Sequence, residues 1–596
     1  MIDFEKNKIT TMLKRWSEED IPFFSVALFA GTWLCIGNFW SVVSTYTFVS
    51  ISTATTILSV IIYLAVALPV VIFFFVELLR LKTKLKWIIL AEVLTFMIFI
   101  IPPPRNADAM RVWLAKVYDV FMQGRKLVRP YWHYNTPDAF TLFHLPMINM
   151  WDGQIFQFSI WTALCAVLIL LIKISKEYVS NDRTVVIILC LFLFNPLIIL
   201  ASTVVITDIP MILAVAGMVY SLILYEQGKF NKSLFFLFLF VVFGMNVKYN
   251  MLMFLPPILF WAVKKMWTDS INLKSLPFLF ILTILAILPY YMNYLSIGNP
   301  VWPALTKIFP AKNPYWDIVA LRTTESFLGG ERNIQNFVES FIRLFLIPHH
   351  INPMAFIPIF FIFYRFKYLN YMPVLIASSY LFILWLMMPQ FAVDEKERYV
   401  LYLLPIVLPF GIANIYEKFT KYKYGEKLKQ FFEVVVIMTF FLYFTFTFVY
   451  SYDAFKYLLT YDKKVWHRAT WYYEDYDWIN KNIELKDSEK ILVIVANQQT
   501  YYLKKPYVNG DALSALIDWS AMTDINKIIN VIKGYRIKYI YIDNDYLKDY
   551  KDAKYAVEIL IKHNKIVEIR RSNVRLYSSR LTNKFSETQT ILYKVE

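Results

Sequence analysis

Cysteine is nearly absent from this chain: there are three in 596 residues, and Cys35, Cys165 and Cys190 each fall inside an apolar run. Isolated thiols of this kind read as small core hydrophobes and say nothing about redox compartment. No His/Cys ligand spacing is present, so a tightly held zinc is not indicated. The C-terminal part has no GxGxxG and no P-loop, which removes the usual nucleotide-binding signals. Charge is also scarce, at 18% of residues. A soluble protein of this length would have several cores and much more charge to cover them. No short apolar segment with a small-residue cleavage site follows "FEKNKITTMLKRW", so no removable signal peptide is expected.

What the chain has instead is apolar length. It is 58% hydrophobic and 18% aromatic, with a mean hydropathy of +0.46. Apolar runs of about 17 residues or more recur, about thirteen by that criterion, which predicts an α-helical polytopic membrane protein. The net charge of +16 is not that of a nucleic-acid binder, because its placement is periodic. Basic clusters occupy alternate loops: "RLKTKLK", "KISK", "GKFNK", "KK" at 264–265, "YRFKY" and "EKFTKYKYGEKLK". Basic loops mark the cytoplasmic side. The N-terminus is therefore expected in the cytoplasm, and an odd span count puts the C-terminus outside the cell membrane.

Two regions follow. Residues 1–453 read as membrane-embedded, with outer loops at about 103–152 and 294–349. Residues 466–596 read as a small soluble α/β domain: "KILVIVA" and "IKYIYID" as buried strands, "TDINKIINVIKGY" and "DAKYAVEILIKHN" as helices, "KIVEIR" and "TILYKV" as further strands.

The first outer loop opens with "PPPRNADAMR", an aspartate between arginines where an apolar run ends. On a helical wheel of residues 107–123, Asp108, Arg111, Lys116, Asp119 and Gln123 share an arc of about 140°. That pattern suits a helix lying in the membrane interface. Beyond it, "GRKLVRPYWHYNTPDAFTLFHLP" mixes cations such as Arg125 and Lys126 with aromatics such as Tyr131 and Trp132. Their bland reading is contact with lipid headgroups and an aromatic belt. Asp108 gains nothing at an anionic surface.

Asp208 has the same character. In "LIILASTVVITDIPMILAVAG" it stands at a turn with apolar runs on both sides, where charges usually face a cavity or a partner. An N-cap at Thr207 or Asp208 is the alternative, and the two readings are compatible. Lys248 in "GMNVKYNMLMFLPP" sits between two short apolar runs, as in a hairpin or a narrow crossing. "IGNPVWPAL" is a turn cluster opening the second outer loop. "DEKERYVLYLLPIVLP" sets Arg398 and Tyr399 at the mouth of a span. Arg398 there either snorkels or offers its planar donor fork to a phosphate.

In this order the motifs resemble the C-type glycosyltransferases (the GT-C superfamily), near the prokaryotic aminoarabinose transferases and protein O-mannosyltransferases. The resemblance rests on "NADAM", "TDIPM", "VKYN", "GNPVWP" and "ERYVLYLLPIVLP", and covers roughly residues 86–450. One departure is the position of the acidic loop, which follows the third span here where the family usually has it after the first. No WWDYG-like signature is present, which speaks against an oligosaccharyltransferase.

The resemblance implies transfer of a sugar from a polyprenyl-phosphate carrier to an extracytoplasmic acceptor, with inversion. Such a displacement needs a base for the acceptor proton and cationic groups on the departing phosphate. Asp108 fits the base. Asp208 would orient the acceptor, share that role, or hold a divalent cation (Mg or Mn) with Asp108. Arg111, Lys116, Arg125, Lys126, Lys248 and Arg398 are the phosphate candidates, with Tyr131, Trp132 and Tyr399 beside them as binding aromatics. The rivals are a transporter or flippase of lipid-linked sugars and a glycan ligase. No internal repeat supports a transporter.

Overall fold

The structure, a computed structural model, describes residues 20–104, 112–126, 135, 137–228, 233–268, 276–328, 331–346, 357, 360, 372–391, 396–419, 423–462, 466–467, 470–496, 500–511, 516–577 and 585–596. In chain order the helices of its apolar part are α1 (Ile21–Tyr46), α2 (Thr53–Arg80), α3 (Lys86–Ile98), α4 (Leu114–Gln123), α5 (Gln154–Tyr178), α6 (Asp182–Leu193) and α7 (Pro196–Thr203). Then come α8 (Asp208–Glu226), α9 (Ser233–Val247), α10 (Leu255–Thr268), α11 (Leu276–Ile297), α12 (Pro314–Leu328), α13 (Ile334–Leu346), α14 (Met372–Met387), α15 (Leu404–Phe419) and α16 (Gly425–Thr460).

Among the described residues, seven helices are long and apolar enough to cross a membrane, or eight if α6 and α7 count as one bent span. Two shorter apolar helices add to these. The expectation of about thirteen spans extends over 347–371, which lie largely outside the described residues. The bend between α6 and α7 is 71°. Its cause is local: Pro196 begins α7 and the Asn195 side chain accepts from Leu197 N–H at 2.9 Å, so the second helix starts afresh. α5 and α8 are enclosed almost completely, whereas α2, α11 and α16 keep apolar faces outward, as lipid-facing helices do.

Ion pairs identify which helix ends lie together. Asp20 before α1 meets Lys173 of α5 at 2.6 Å, and Glu77 of α2 meets Lys176 at 3.8 Å. Arg183 of α6 meets Glu433 of α16 at 2.7 Å, and Lys265 of α10 meets Glu226 of α8 at 3.3 Å. The described basic clusters thus share one end of the bundle. The opposite end carries the first outer loop, whose backbone is tied to α1 through Lys126 N–H to Ser44 O at 2.8 Å.

That loop folds inward. A helical turn at Ala139–Leu142 lies against α1 so closely that a Cβ on Gly37 would be 1.8 Å from Ala139 O. Only glycine permits that approach. The amphipathic pattern of the loop helix is present, but α4 is buried from Leu114 to Val120 within the protein. Its polar side chains turn to protein partners: Lys116 to Asp138, and Asp119 to Tyr507.

Past α16 the chain forms a five-stranded sheet, β1 (Lys490–Ile494), β2 (Tyr507–Asn509), β3 (Ile537–Asp543), β4 (Ile566–Tyr577) and β5 (Phe585–Val595), in the order β2-β1-β3-β5-β4. The first three strands run parallel, and β5 joins β3 antiparallel as half of a hairpin with β4. Alternation along each strand decides the layers. Leu492, Ile494, Ile540 and Ile542 pack with α18 (Ile525–Gly534) and α19 (Lys551–Lys562). Ile491, Val493 and Tyr541 face the other way, toward α17 (Tyr473–Asn482) and the membrane part. Asp524 caps α18, accepting from Lys527 N–H at 3.0 Å.

The sheet domain is bound to the loop end of the bundle. Trp466 Nε1–H donates to Pro103 O at 2.7 Å and Tyr502 OH to Pro104 O at 2.8 Å. Tyr507 OH donates to Asp119 Oδ2 at 3.2 Å, and the Lys504 ammonium stands 3.7 Å above the Tyr118 ring.

Candidate functional site

Two carboxylates organise the loop end. Asp208 is the first residue of α8, with Thr207 at the cap position, yet the Thr207 side chain makes no capping hydrogen bond. The Asp208 carboxylate turns across the bundle. Its Oδ1 receives Lys248 Nζ at 2.8 Å and also the Tyr402 hydroxyl, which itself accepts from Lys248 at 2.7 Å. Lys248 reaches this position because α9 stops at Val247. The lysine is extended (φ −160°, ψ 143°), and a 3-10 turn, Tyr249–Phe254, follows. Gly244 lets that turn fold back, since a Cβ there would lie 2.8 Å from the Met251 side chain.

Around this pair stand Tyr399 and Arg398. Lys248 Nζ is 4.8 Å from the Tyr399 ring centre and Arg398 Cζ is 5.4 Å from it, so one ring contacts two cations. The charge of Arg398 acts on Asp208 as well. Exposure separates the signs: the Asp208 side chain is 2% exposed and Lys248 14%. The carboxylate is inside, and the ammonium keeps some exposure. A buried anion that holds a partly open ammonium near a guanidinium suits an anionic ligand better than a cationic one.

The second carboxylate, Asp138, is one that the sequence did not single out. It precedes the turn pressed against Gly37 and is buried. Its Oδ2 lies 2.5 Å from Lys126 Nζ and 3.3 Å from Lys116 Nζ, and Ser41 of α1 donates to its Oδ1 at 2.8 Å. Burial alone would raise this carboxyl, but Lys126 and Lys116 outweigh burial and hold it well below the usual carboxylate range. Burial pushes the Lys116 ammonium down to about 8 against the opposing attraction of Asp138. The signal available in the sequence was a lone acid in a basic, aromatic loop.

The two centres adjoin. Tyr249, next to Lys248, donates to Asn135 O at 2.7 Å, and Asn293 of α11 donates to the same carbonyl at 2.5 Å and to Tyr249 OH at 2.9 Å. Asp138 is near enough for its charge to act on Tyr249.

The structure therefore brings together Asp208, Lys248, Arg398 and Tyr399, and separately sets Lys116 and Lys126 on Asp138. Arg125 is exposed. Asp108, Arg111, Tyr131 and Trp132 lie outside the described residues. Among the described residues, no cluster of three or more His, Cys, Asp or Glu could hold a metal ion. Among the described residues Asp208 receives one ammonium and one phenol, and Asp108, the other carboxylate of the expected cation site, lies outside them.

A search of curated proteins found no significant match. Two solved structures are similar over most of the chain. ArnT from Cupriavidus metallidurans bound to undecaprenyl phosphate matches at 9% identity and a TM-score of 0.49, covering 86% of this chain and 98% of that one. The apo state of the same protein matches at 10% identity and 0.49, covering 85% and 97%. In sequence, residues 143–292 match the family described as dolichyl-phosphate-mannose-protein mannosyltransferase. That segment contains Asp208 and Lys248, and over it the chain is similar to the GT-C glycosyltransferases that its motifs resemble.

Proposed function

We propose that this chain is a membrane glycosyltransferase that moves a sugar from a polyprenyl-phosphate carrier to an acceptor at the face bearing the sheet domain. One observation carries the reading: the Asp208–Lys248 pair, on a segment with mannosyltransferase similarity, joined by Arg398 and Tyr399 from outside that segment in a partly exposed cationic cluster at one end of the bundle. The donor class comes from the matched family's description, and the sugar is left unassigned.

In this reading Lys248 and Arg398 take the phosphate, where negative charge grows as the glycosidic bond breaks. Asp208 acts through Lys248, holding the ammonium in place. Asp108 is the general base, removing the acceptor proton during a single inverting displacement. Lys116 and Lys126, engaged with Asp138, fix the loop that carries the acidic segment. The basic end of the bundle is cytoplasmic by the positive-inside rule, so the site and the sheet domain are extracytoplasmic, in a multi-pass protein of the cytoplasmic membrane.

The test is turnover by purified protein with a panel of polyprenyl-phosphate sugars and envelope acceptors, for wild type, Lys248→Met and Asp108→Asn. Release of polyprenyl phosphate by wild type, abolished in both variants while they stay folded, supports the assignment. Unchanged turnover in Lys248→Met removes the phosphate role from this cluster.

A further inference from the structure

The helix of the second outer loop, α13, has three distinct sectors. At about 100° per residue, Ile334, Val338 and Ile342 fall within about 80° of one another. Gln335, Glu339 and Arg343 occupy the next sector, at about 100–180°. Ser340, Leu344 and Phe337 take a third, at about 240–300°. The third sector is held by protein. Ser340 donates to Pro389 O at 3.2 Å, Leu344 is fully buried, and the Phe337 ring packs on Trp385 at 5.7 Å and Phe391 at 6.2 Å.

The first two sectors are both open but differ in chemistry. Ile334 is 78% exposed, Val338 46% and Ile342 46%, and nothing among the described residues covers them. Beside them Glu339 and Arg343 form an exposed ion pair of 2.6 Å, a group that water solvates well. A helix in uniform water would have no use for a bare aliphatic stripe parallel to an ionic one. A helix lying in the corner between protein, lipid and water needs all three.

The helix is also tied to an apolar neighbour. Arg332, just before α13, donates from Nε to Leu386 O at 2.8 Å, at the end of α14. There Phe382 and Leu386 are exposed one turn apart, on the outward face of an apolar helix. The start of α13 therefore sits beside the end of a helix that itself carries an exposed apolar face.

We propose that α13 lies along the membrane surface, with Ile334, Val338 and Ile342 seated at the boundary of headgroups and acyl chains and Glu339–Arg343 in water. The occupant of the apolar face is the lipid bilayer. A seat of this kind ties the second outer loop to the membrane beside the end that carries Asp208.

The test uses the full chain with Cys35→Ala, which removes the one exposed thiol, and a single cysteine at Val338, Ile342 or Glu339 carrying a nitrobenzoxadiazole dye. Each protein is reconstituted into phosphatidylcholine–phosphatidylglycerol vesicles with or without doxyl-labelled phosphatidylcholine. The proposal expects blue-shifted emission and strong doxyl quenching at 338 and 342, with little iodide quenching, and the reverse at 339. Iodide quenching at 338 and 342 equal to that at 339 overturns it. Shielding from both quenchers, with dye self-quenching that grows with protein per vesicle, also overturns it and assigns the face to a second copy. None of these readouts depends on turnover, so the proposed activity and this seat stand or fall separately.

Discussion

Lys248 sets its ammonium 2.8 Å from Oδ1 of Asp208, forty residues earlier in the chain, and the contact joins the broken end of one helix to the start of another. Removing the acid leaves the Lys248 ammonium on the Tyr402 hydroxyl without the carboxylate that balances its charge. Asp208→Asn should destabilise the protein by about 3 kcal/mol, the lower part of the range for breaking a buried pair, since Lys248 retains some access to water. Thermal unfolding in detergent measures this. The double variant Asp208→Asn/Lys248→Met should regain most of the lost melting temperature while remaining inactive. A melting temperature for Asp208→Asn equal to wild type would show that the pair does not hold α8 to α9.

Lys116 gives a pH signature. Its folded-state value of about 8 lies below the ordinary lysine value of 10.5. Between those two values the unfolded chain binds more protons than the folded one, so stability should rise with pH there. Below about 8 the cost of burying the ammonium is fully present. Asp138 has the same sign of pH dependence, in a far more acidic range. Its carboxyl is held below the usual range, so its contribution is present above the ordinary carboxylate value and is lost only in stronger acid. The difference in melting temperature between wild type and Lys116→Met should therefore shift in favour of wild type from pH 7.5 to 9.5. A flat difference would mean that Lys116 is not strained by burial.

Much of this organisation was legible in the sequence, because periodicity and composition are local. The apolar runs, the alternating basic loops and the order of strands and helices after residue 466 all come from residues close together in the chain. Asp208 was legible too, because a charge between apolar runs stands out. Lys248 stood out as well, but the pairing of the two did not. The Lys248 contact depends on where α9 breaks and on Gly244 admitting the turn, neither of which has a local signature. The α4 helix is the clearest divergence. Its amphipathic wheel fits a membrane surface, but the wheel gives a polar face without saying what that face meets. Lys116 meets Asp138 and Asp119 meets Tyr507. Asp138 itself escaped notice, since an acid beside Thr136 and Pro137 looks like any turn.

Gly37 sets how closely the first outer loop approaches α1. With a Cβ there only 1.8 Å from Ala139 O, Gly37→Ala must push the turn away, taking Asp138 out of reach of Ser41. The contact is backbone, so no rotamer relieves it. The loss should be at the upper end of the about 1–3 kcal/mol expected for overpacking. Gly31→Ala is the matched control on the same helix, because its Cβ would meet the Leu239 side chain at an ordinary 3.7 Å. Equal melting temperatures for the two variants would contradict this packing.

The sheet domain should govern the order of α4. Tyr507 reaches Asp119, three residues and almost one turn beyond Lys116, so the domain and Asp138 grip the same face of the helix at successive turns. Tyr507→Phe removes one hydrogen bond to a carboxylate, worth about 1.5–3 kcal/mol locally. Lys504→Met adds loss of the cation contact with Tyr118, while Tyr502→Phe frees Pro104 O. Amide hydrogen exchange over residues 112–123 should accelerate in Tyr507→Phe and further in the double variant with Lys504→Met. Exchange in α5 and α8 should stay as in wild type. Acceleration spread evenly over the bundle would mean general destabilisation. Unchanged exchange at 112–123 would mean that α4 is held from the membrane side alone, through Lys116 and Asp138.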